Sequence, residues 1–300
     1  RSPNERISIG VIGVRQRGRQ LASMLASRSD VDVPVLCDID GAVNAAAGRE
    51  VSEAQGWLPD LESDFRRLLD RPGLDAVVIA VPDHWHARMT RLACESGKDV
   101  YVEAPVSRTI AEAREMIETV NQTGRVVQSG LQQRSGSHYL EAIGFVRDGG
   151  LGRVRMARAW TVHRGKPIGV QSDAALPPRV DYQQWLGPAP SRPFNPNRFH
   201  QNWRWFWDYG GGALGHWGVH MLDVARWGLD LDLPERISAT GGSYHFHDDR
   251  ESPDTLCVQF QYPAATLLWE HRLWSTRGPE GRSTGTAFYG ELGTLVVDRG

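Results

Sequence analysis

The stretch "ISIGVIGVRQRGRQLA", residues 7–22, decides the fold. Its first half is an apolar run of strand length, and its second half is polar and basic with the look of a helix start. A dinucleotide-binding turn asks for G-x-G-x-x-G directly after a first strand. Gly13 and Gly18 occupy the first and third positions of that pattern, and Arg15 the middle one. The middle glycine normally lets backbone approach a pyrophosphate. Arg15 must therefore turn its side chain outward, where its charge suits a phosphate. Asp38 ends the second apolar run 20 residues after Gly18, where an acid bonds the ribose hydroxyls of NAD and repels the 2′-phosphate of NADP. Arg15 and Arg17 soften that repulsion. The expected cofactor is NAD or NADP, with NAD favoured by Asp38.

Working outward, "VDVPVLCD" (31–38), "DAVVIAVP" (75–82), "DVYVE" (99–103) and "RVVQSG" (125–130) are further apolar runs of strand length. Helical patterns lie between them. In "TIAEAREMIETV", Thr109 and Glu112 form a capping box, and Ile110, Ala113, Ile117 and Val120 share a face. Near-continuous apolar strands joined by helices mean a parallel sheet covered on both sides. Residues 1–131 are thus read as a dinucleotide-binding domain. At the sheet's carboxyl edge, "VPDHWHA" places Pro82, His84 and His86 at and after the end of the run 75–82. No third ligand stands at motif spacing, so no metal site is expected. Pro82 and His86 are assigned to the cofactor side, His86 packing on the cofactor or capping the turn. "KDVYVEAPVS" (98–107) holds the carboxylate of Glu103, also assigned to the cofactor side, at a strand end, followed by the bare methyl of Ala104.

The chain's 300 residues suit two domains. With 40% apolar and 23% charged residues and a net charge of -2, it offers no support for a nucleic-acid or anionic-membrane partner. Cys37, Cys94 and Cys257 are widely spaced and show neither a disulfide framework nor a zinc pattern; buried free thiols are expected. No run approaches the roughly 18 apolar residues that span a bilayer. The opening "RSPNERISIG" has a polar lead and no initiator Met, and carries no information about compartment.

Residues 132–300 change pattern. "SHYLEAIGFVRDGGLG" reads as a helix and "RVRMARAWTVH" as a strand, and a Gly- and Pro-rich coil runs from Gly165 to Pro196. So long a loop is functional or an arm to a neighbouring subunit. In "NRFHQNWRWFWDYGGG", Trp203, Trp205 and Tyr209 offer ring faces to the C–H patches of a sugar, although at least half of these rings are expected to be packing. On a helix, "HWGVHMLDVARWGL" puts His216, His220, Asp223 and Trp227 on one stripe. "DTLCVQFQYP", "ATLLWEHRLW" and "GTLVVDRG" read as strands joined by hairpin-length links. The expected fold is an α/β Rossmann domain plus an α+β domain with an open, mostly antiparallel sheet.

With "GVIGVRQRG", "VPDHWHA", "YVEAPVS", "QQRSG" and "GHWGVHMLDVARWGL" in this order, the chain resembles the Gfo/Idh/MocA family (glucose-fructose oxidoreductase, inositol dehydrogenase, rhizopine catabolism). "PSRPFNPNRFHQNWRWFWDYGGG" resembles a bacterial subgroup often exported by a twin-arginine signal. The resemblance implies a sugar or glycoside as substrate, association into homodimers or homotetramers through the open sheet, and a periplasmic or otherwise cytoplasmic location. It also implies chain beyond residue 300. The family's E-K-P lysine falls at Ala104, which can neither donate nor accept a proton. Either this residue was replaced to stop turnover, or the chain has lost the step. The family's D-x-G-x-H puts its histidine at His220, the expected general base. His216 stands where the acid belongs, and Asp223 is expected to orient His220. The implied activity is NAD(P)-dependent oxidation of a sugar hydroxyl, impaired by Ala104. A glycosidase or lyase working by transient oxidation is the alternative, and a non-catalytic sugar- or cofactor-binding protein the third reading.

Overall fold

The first sheet is wholly parallel, in the order β3-β2-β1-β4-β5-β6. Its strands are β1 (Ile7–Ile12), β2 (Val31–Cys37), β3 (Asp60–Glu62), β4 (Ala76–Ile79), β5 (Asp99–Val102) and β6 (Val127–Ser129). The structure is a computed structural model describing residues 6–299; the polar lead up to Glu5 and Gly300 lie outside the described residues. Helices α1 (Arg17–Ala26), α2 (Gly41–Gln55), α3 (Phe65–Leu69), α4 (Asp83–Glu95) and α5 (Ile110–Thr123) join the strands. Residues of the strands feed two cores. Val11, Val33 and Val78 pack with Ala22 and Val51 of α1 and α2. Ile12, Val35, Val77, Ile79 and Val102 pack with Leu68, Trp85 and Met116 of α3, α4 and α5. This two-sided burial explains why the strands read as unbroken apolar runs.

Two local readings need amendment. Strand β3, pairing Asp60 with Val35 and Glu62 with Cys37, escaped notice because "DLE" has no β-branched residue and no buried face. The capping box of α5 forms as expected: Thr109 Oγ1 accepts from the Glu112 N–H at 3.1 Å, and Glu112 Oε2 from the Thr109 N–H at 3.1 Å. The helix, however, buries Met116 and Thr119 and leaves Ile110 and Ile117 in solvent. Packing against α4, rather than the most apolar row of the helix, sets its rotation.

The chain divides into two compact units. The first runs to Gly130 and takes back Asp173–Phe194, which sequence reading places in the second domain; the second comprises Leu131–Ser172 and the chain from Asn195 onward. The returning segment holds the short helix α7 (Tyr182–Leu186), with Tyr182, Trp185, Leu186 and Phe194 all buried.

The second unit contains α6 (Ser137–Arg147), β7 (Val154–Val162), α8 (Val219–Leu229), β8 (Arg236–Gly242), β9 (Thr255–Gln261), β10 (Thr266–Arg272), β11 (Thr284–Gly290) and β12 (Gly293–Val297). Its sheet order is β12-β11-β7-β10-β9-β8. Only the β7–β10 pair is parallel; the others are antiparallel. Helices α6 and α8 cover one face through Tyr139, Ile143, Val224, Leu267 and Phe288. The sequence betrayed neither β8 nor β11: "RISATGG" and "TGTAFYG" are rich in Gly, Thr and Ser and lack apolar alternation. Cys37 and Cys94 are buried, but Cys257 is exposed, contrary to expectation. The pleat of β9 turns Val258 toward the helices and its neighbour Cys257 away from them. Among the described residues no helix is long and apolar enough to cross a membrane.

Candidate active site

The glycine turn is built by crowding. Gly13 has φ +82°, and a Cβ there would meet Ala80 O at 2.8 Å. At Gly18 a Cβ would lie 1.8 Å from Gly13 O, so only glycine lets α1 begin this close to β1. Helices α2, α3 and α5 are capped by the side chains of Asp40, Asp64 and Thr109; α4, with Pro82 at its N-cap, has no side-chain cap bond, and likewise the N-cap of α1, Gln16, makes none. Its first N–H groups remain for an anion. Arg15 Nη1 is buried without a hydrogen-bond partner. An open helix start beside an orphaned guanidinium donor fits a dinucleotide pyrophosphate.

Asp38 lies behind this turn. Its Oδ2 accepts from the Val14 N–H at 2.9 Å, and its Oδ1 from the Asp40 N–H at 3.0 Å. Desolvation pushes its carboxyl up to about 6, against the pull of the Asp40 and Val14 N–H groups. Burial lowers the Arg15 guanidinium, with Asp40 and Asp38 acting the other way.

At the end of β5, Glu103 Oε1 accepts from Arg17 Nε at 2.7 Å. Glu103 Oε2 accepts from the Ala104 N–H at 3.3 Å and lies where a Cβ at Gly130 would sit, 2.8 Å away. Glu103 thus ties the end of β5 to the first turn of α1. Pro82 is the N-cap of α4. His86 is 1% exposed; its Nδ1 lies 2.7 Å from Pro105 O and its Nε2 2.8 Å from Val81 O. Burial pushes its pKa down while both carbonyls pull it up. The ring braces the turn after β4 to the turn after β5. His84 Nε2 lies 2.9 Å from Trp185 O. Among the described residues no group of three or more His, Cys, Asp and Glu is placed to hold a metal.

In the second unit, "HWGVH" does not form a simple α-helix. Leu214–Gly218 is π-helical and passes into α8 at Val219, so the spacing assumed for His216 and His220 is shifted at its start. Such wide turns recur at functional sites. His220, 7% exposed, occupies the first turn of α8. Arg204 Nη1 lies 3.1 Å from His216 Nε2. A guanidinium only donates, so that nitrogen accepts and the proton of the neutral ring sits on Nδ1. Desolvation, then Arg204, His220, Arg299 and His163, push His216 down to about 3. Asp223, expected to orient His220, instead receives the fork of Arg134, with Nε to Oδ2 at 2.8 Å and Nη2 to Oδ1 at 2.7 Å. That guanidinium also stacks 5.2 Å from the Trp227 ring.

Of the aromatic run, Phe206 and Tyr209 are core, at 3% and 0% exposure, so Tyr209 presents no open face. Trp203 and Trp205 are half-buried and carry the guanidinium groups of Arg204 and Arg250 at 5.6 Å and 5.2 Å. Sequence reading passed over Arg134 and Arg204, although "QQRSG" and "NWRWFW" each set a lone cation among polar or aromatic neighbours.

The depressed His216 makes a testable statement. Its ring stays neutral in the fold, whereas in the unfolded chain it titrates near its ordinary 6.5. As pH falls from 6.5 toward 3 the unfolded state gains a proton that the folded state refuses, so stability falls with pH. In His216→Gln the melting-temperature difference between about pH 7 and about pH 5 is expected to shrink. An undiminished difference would remove His216 from the titration.

A six-stranded parallel sheet in this order, with a glycine-crowded and uncapped first helix, defines a dinucleotide-binding domain; the open sheet of the second unit completes a two-domain class of oxidoreductases. The chain belongs to the Gfo/Idh/MocA family. Residues 7–131 match its profile "Oxidoreductase family, NAD-binding Rossmann fold", and residues 160–253 match "Oxidoreductase family, C-terminal alpha/beta domain". Its cofactor is a nicotinamide dinucleotide. The α-N-acetylgalactosaminidase of Shewanella oneidensis is 28% identical over 163 residues, 53% of this chain and 36% of that protein. A glycosyl hydrolase family 109 protein of Saccharopolyspora erythraea is 35% identical over 127 residues, 41% of this chain and 28% of that protein. The chain thus matches about a third of the length of these curated relatives. Among solved structures, levoglucosan dehydrogenase in complex with NADH has a TM-score of 0.74 at 20% identity, covering 97% of this chain and 73% of its own. The scyllo-inositol dehydrogenase of Lactobacillus casei, solved with NAD(H) and scyllo-inositol, has a TM-score of 0.73 at 18% identity, covering 98% and 76%. At these identities the two structures attest the fold.

Proposed function

We propose that this chain is an NAD(P)-dependent oxidoreductase acting on a hydroxyl of a small sugar or glycoside, impaired as it stands by Ala104. The observation that carries the reading is the glycine turn, which leaves α1 uncapped beside Asp38 and Arg15. Gly13, Gly18, Arg15 and the start of α1 would hold the pyrophosphate, and Asp38 the ribose, which favours NAD over NADP. Bound there, the nicotinamide would supply the acceptor for a hydride. His220 takes the proton of the reacting hydroxyl on a ring nitrogen. His216, held neutral by its surroundings, accepts hydrogen bonds and orients the substrate but is no carboxylate. Asp223 acts through Arg134 by fixing that guanidinium against α8, and Trp203 and Trp205 offer the ring faces. The face of the second sheet away from α6 and α8 carries the charged group Arg158, Glu270 and Arg272 and is proposed as the surface of a homodimer or homotetramer.

The glycosidase relatives favour a second reading. There the ring C–H(OH) would give its hydride to a bound nicotinamide and become a ketone, the C–H beside that ketone would lose its proton to a protein base, and the aglycone would leave. Water then adds and the hydride is returned to the sugar. One experiment separates the two. With Ala104→Lys and NAD, a panel of free sugars and nitrophenyl glycosides is followed for growth of the reduced-nicotinamide absorbance and for nitrophenol release. Net reduction supports the dehydrogenase; release without net reduction supports the glycosidase. Binding of sugar without either sinks both and leaves a binding protein.

A further inference from the structure

The excursion Asp173–Phe194 has no role in the chemistry described so far, yet it touches the first unit at two telling places. Its inner part is firmly anchored. Trp185 O accepts from Trp85 Nε1 at 3.0 Å and lies 2.9 Å from His84 Nε2, both rings belonging to the first turn of α4. Tyr182 stacks on Trp185 at 5.6 Å and 10°, with Phe194 edge-on to Tyr182 at 5.4 Å. Gly187 packs so closely that a Cβ would come 2.0 Å from the Trp85 ring. The other part is lightly latched. Val180 forms a single bridge to Asp40, and the Asp181 N–H reaches Ile39 O at 3.4 Å. Around this latch Leu176, Pro178, Arg179 and Asp181 are exposed.

The latch engages the two residues that follow Asp38, and the anchor engages the start of α4. These are the two lips of the crevice at the carboxyl ends of β2, β1 and β4. A dinucleotide with its pyrophosphate on α1 and its ribose on Asp38 lays its adenosine half in that crevice. We propose that Asp173–Phe194 is a strap closing over the adenosine half of the bound dinucleotide, anchored on α4 and released at the Val180–Asp40 bridge, so that exchange of the cofactor is slowed. The inference rests on the reading of this domain as the cofactor site.

The strap carries its own reporter. Arg179 is exposed, and trypsin cuts there, whereas Arg192 precedes Pro193 and resists. In the intact protein, NAD is expected to slow cleavage after Arg179 at least about fivefold, while cleavage elsewhere is unchanged. Stopped-flow fluorescence of NADH release gives the second readout. The Tyr182→Ala, Trp185→Ala double variant is expected to release NADH at least about tenfold faster than the parent. Trp85→Phe, which keeps an aromatic ring but loses the indole donor and part of the edge that faces Gly187, is expected to fall between the two. If NADH binds and yet neither cleavage nor release changes, the strap is refuted and the cofactor site stands. If the parent binds no NADH at all, the cofactor reading fails, and the strap with it. Should the double variant not fold, the tryptic comparison on the parent protein still decides.

Discussion

With lysine at position 104, oxidation of the preferred sugar is expected to rise by about 10²- to 10⁴-fold over the Ala104 chain, the range of positioned proton transfer. The environment is prepared for an ammonium. Glu103 Oε1 is taken by Arg17 at 2.7 Å, but Oε2 meets only the Ala104 N–H at 3.3 Å, so an acceptor is left for the new side chain. The carboxylate holds the amine, and partial burial lets its pKa move toward the working range. Adding His220→Ala to Ala104→Lys is expected to cancel the gain, because one group without the other leaves the proton stranded. If Ala104→Lys binds cofactor, melts like the parent and shows no gain with any sugar, the assignment of the lysine position is wrong.

The second large effect is expected at Gly18. Gly18→Ala drives a methyl to 1.8 Å from the Gly13 carbonyl, and backbone cannot swing aside as a side chain can. Helix α1 must move off β1, which is expected to cost at least ~3 kcal/mol, roughly 10 °C in melting temperature, and to weaken NADH binding by more than about 100-fold. Gly41→Ala is the control. A Cβ at the first position of α2 meets nothing within 4 Å, so this change is expected to be neutral or stabilising by up to about 1 kcal/mol. Equal tolerance at the two positions would contradict the close approach on which the dinucleotide site depends.

What could be read from the sequence was the chemistry that is local. The glycine turn and the capping box of α5 each lie within a few residues of their partners, and Asp38, whose partner Val14 stands 24 residues away, was legible through its spacing from Gly18. The long strands of the first sheet were legible because both their faces are buried. Strands β3, β8 and β11 were not, because edge or Gly-rich strands are defined by their neighbours' hydrogen bonds and not by their own side chains. In the second unit His216 and His220 stood out by residue type, but the π-turn that sets their spacing depends on tertiary packing of Leu214 and Trp217. The partner of Asp223 lay 89 residues away at Arg134, beyond any spacing rule. The strap was hidden for a similar reason: "DYQQWLGPAP" reads as coil until Trp85 and His84 supply the wall against which its rings lie.

That return journey has a practical consequence for anyone who would dissect the molecule. The polypeptide changes unit at 130–131, at 172–173 and again at 194–195, so no single cut yields two self-sufficient fragments. A piece ending at Gly130 would lose the rings that roof Trp85 and should aggregate or melt early. Grafting residues 173–194 behind Gly130 through a flexible tether is the design that should restore a free-standing nucleotide-binding half.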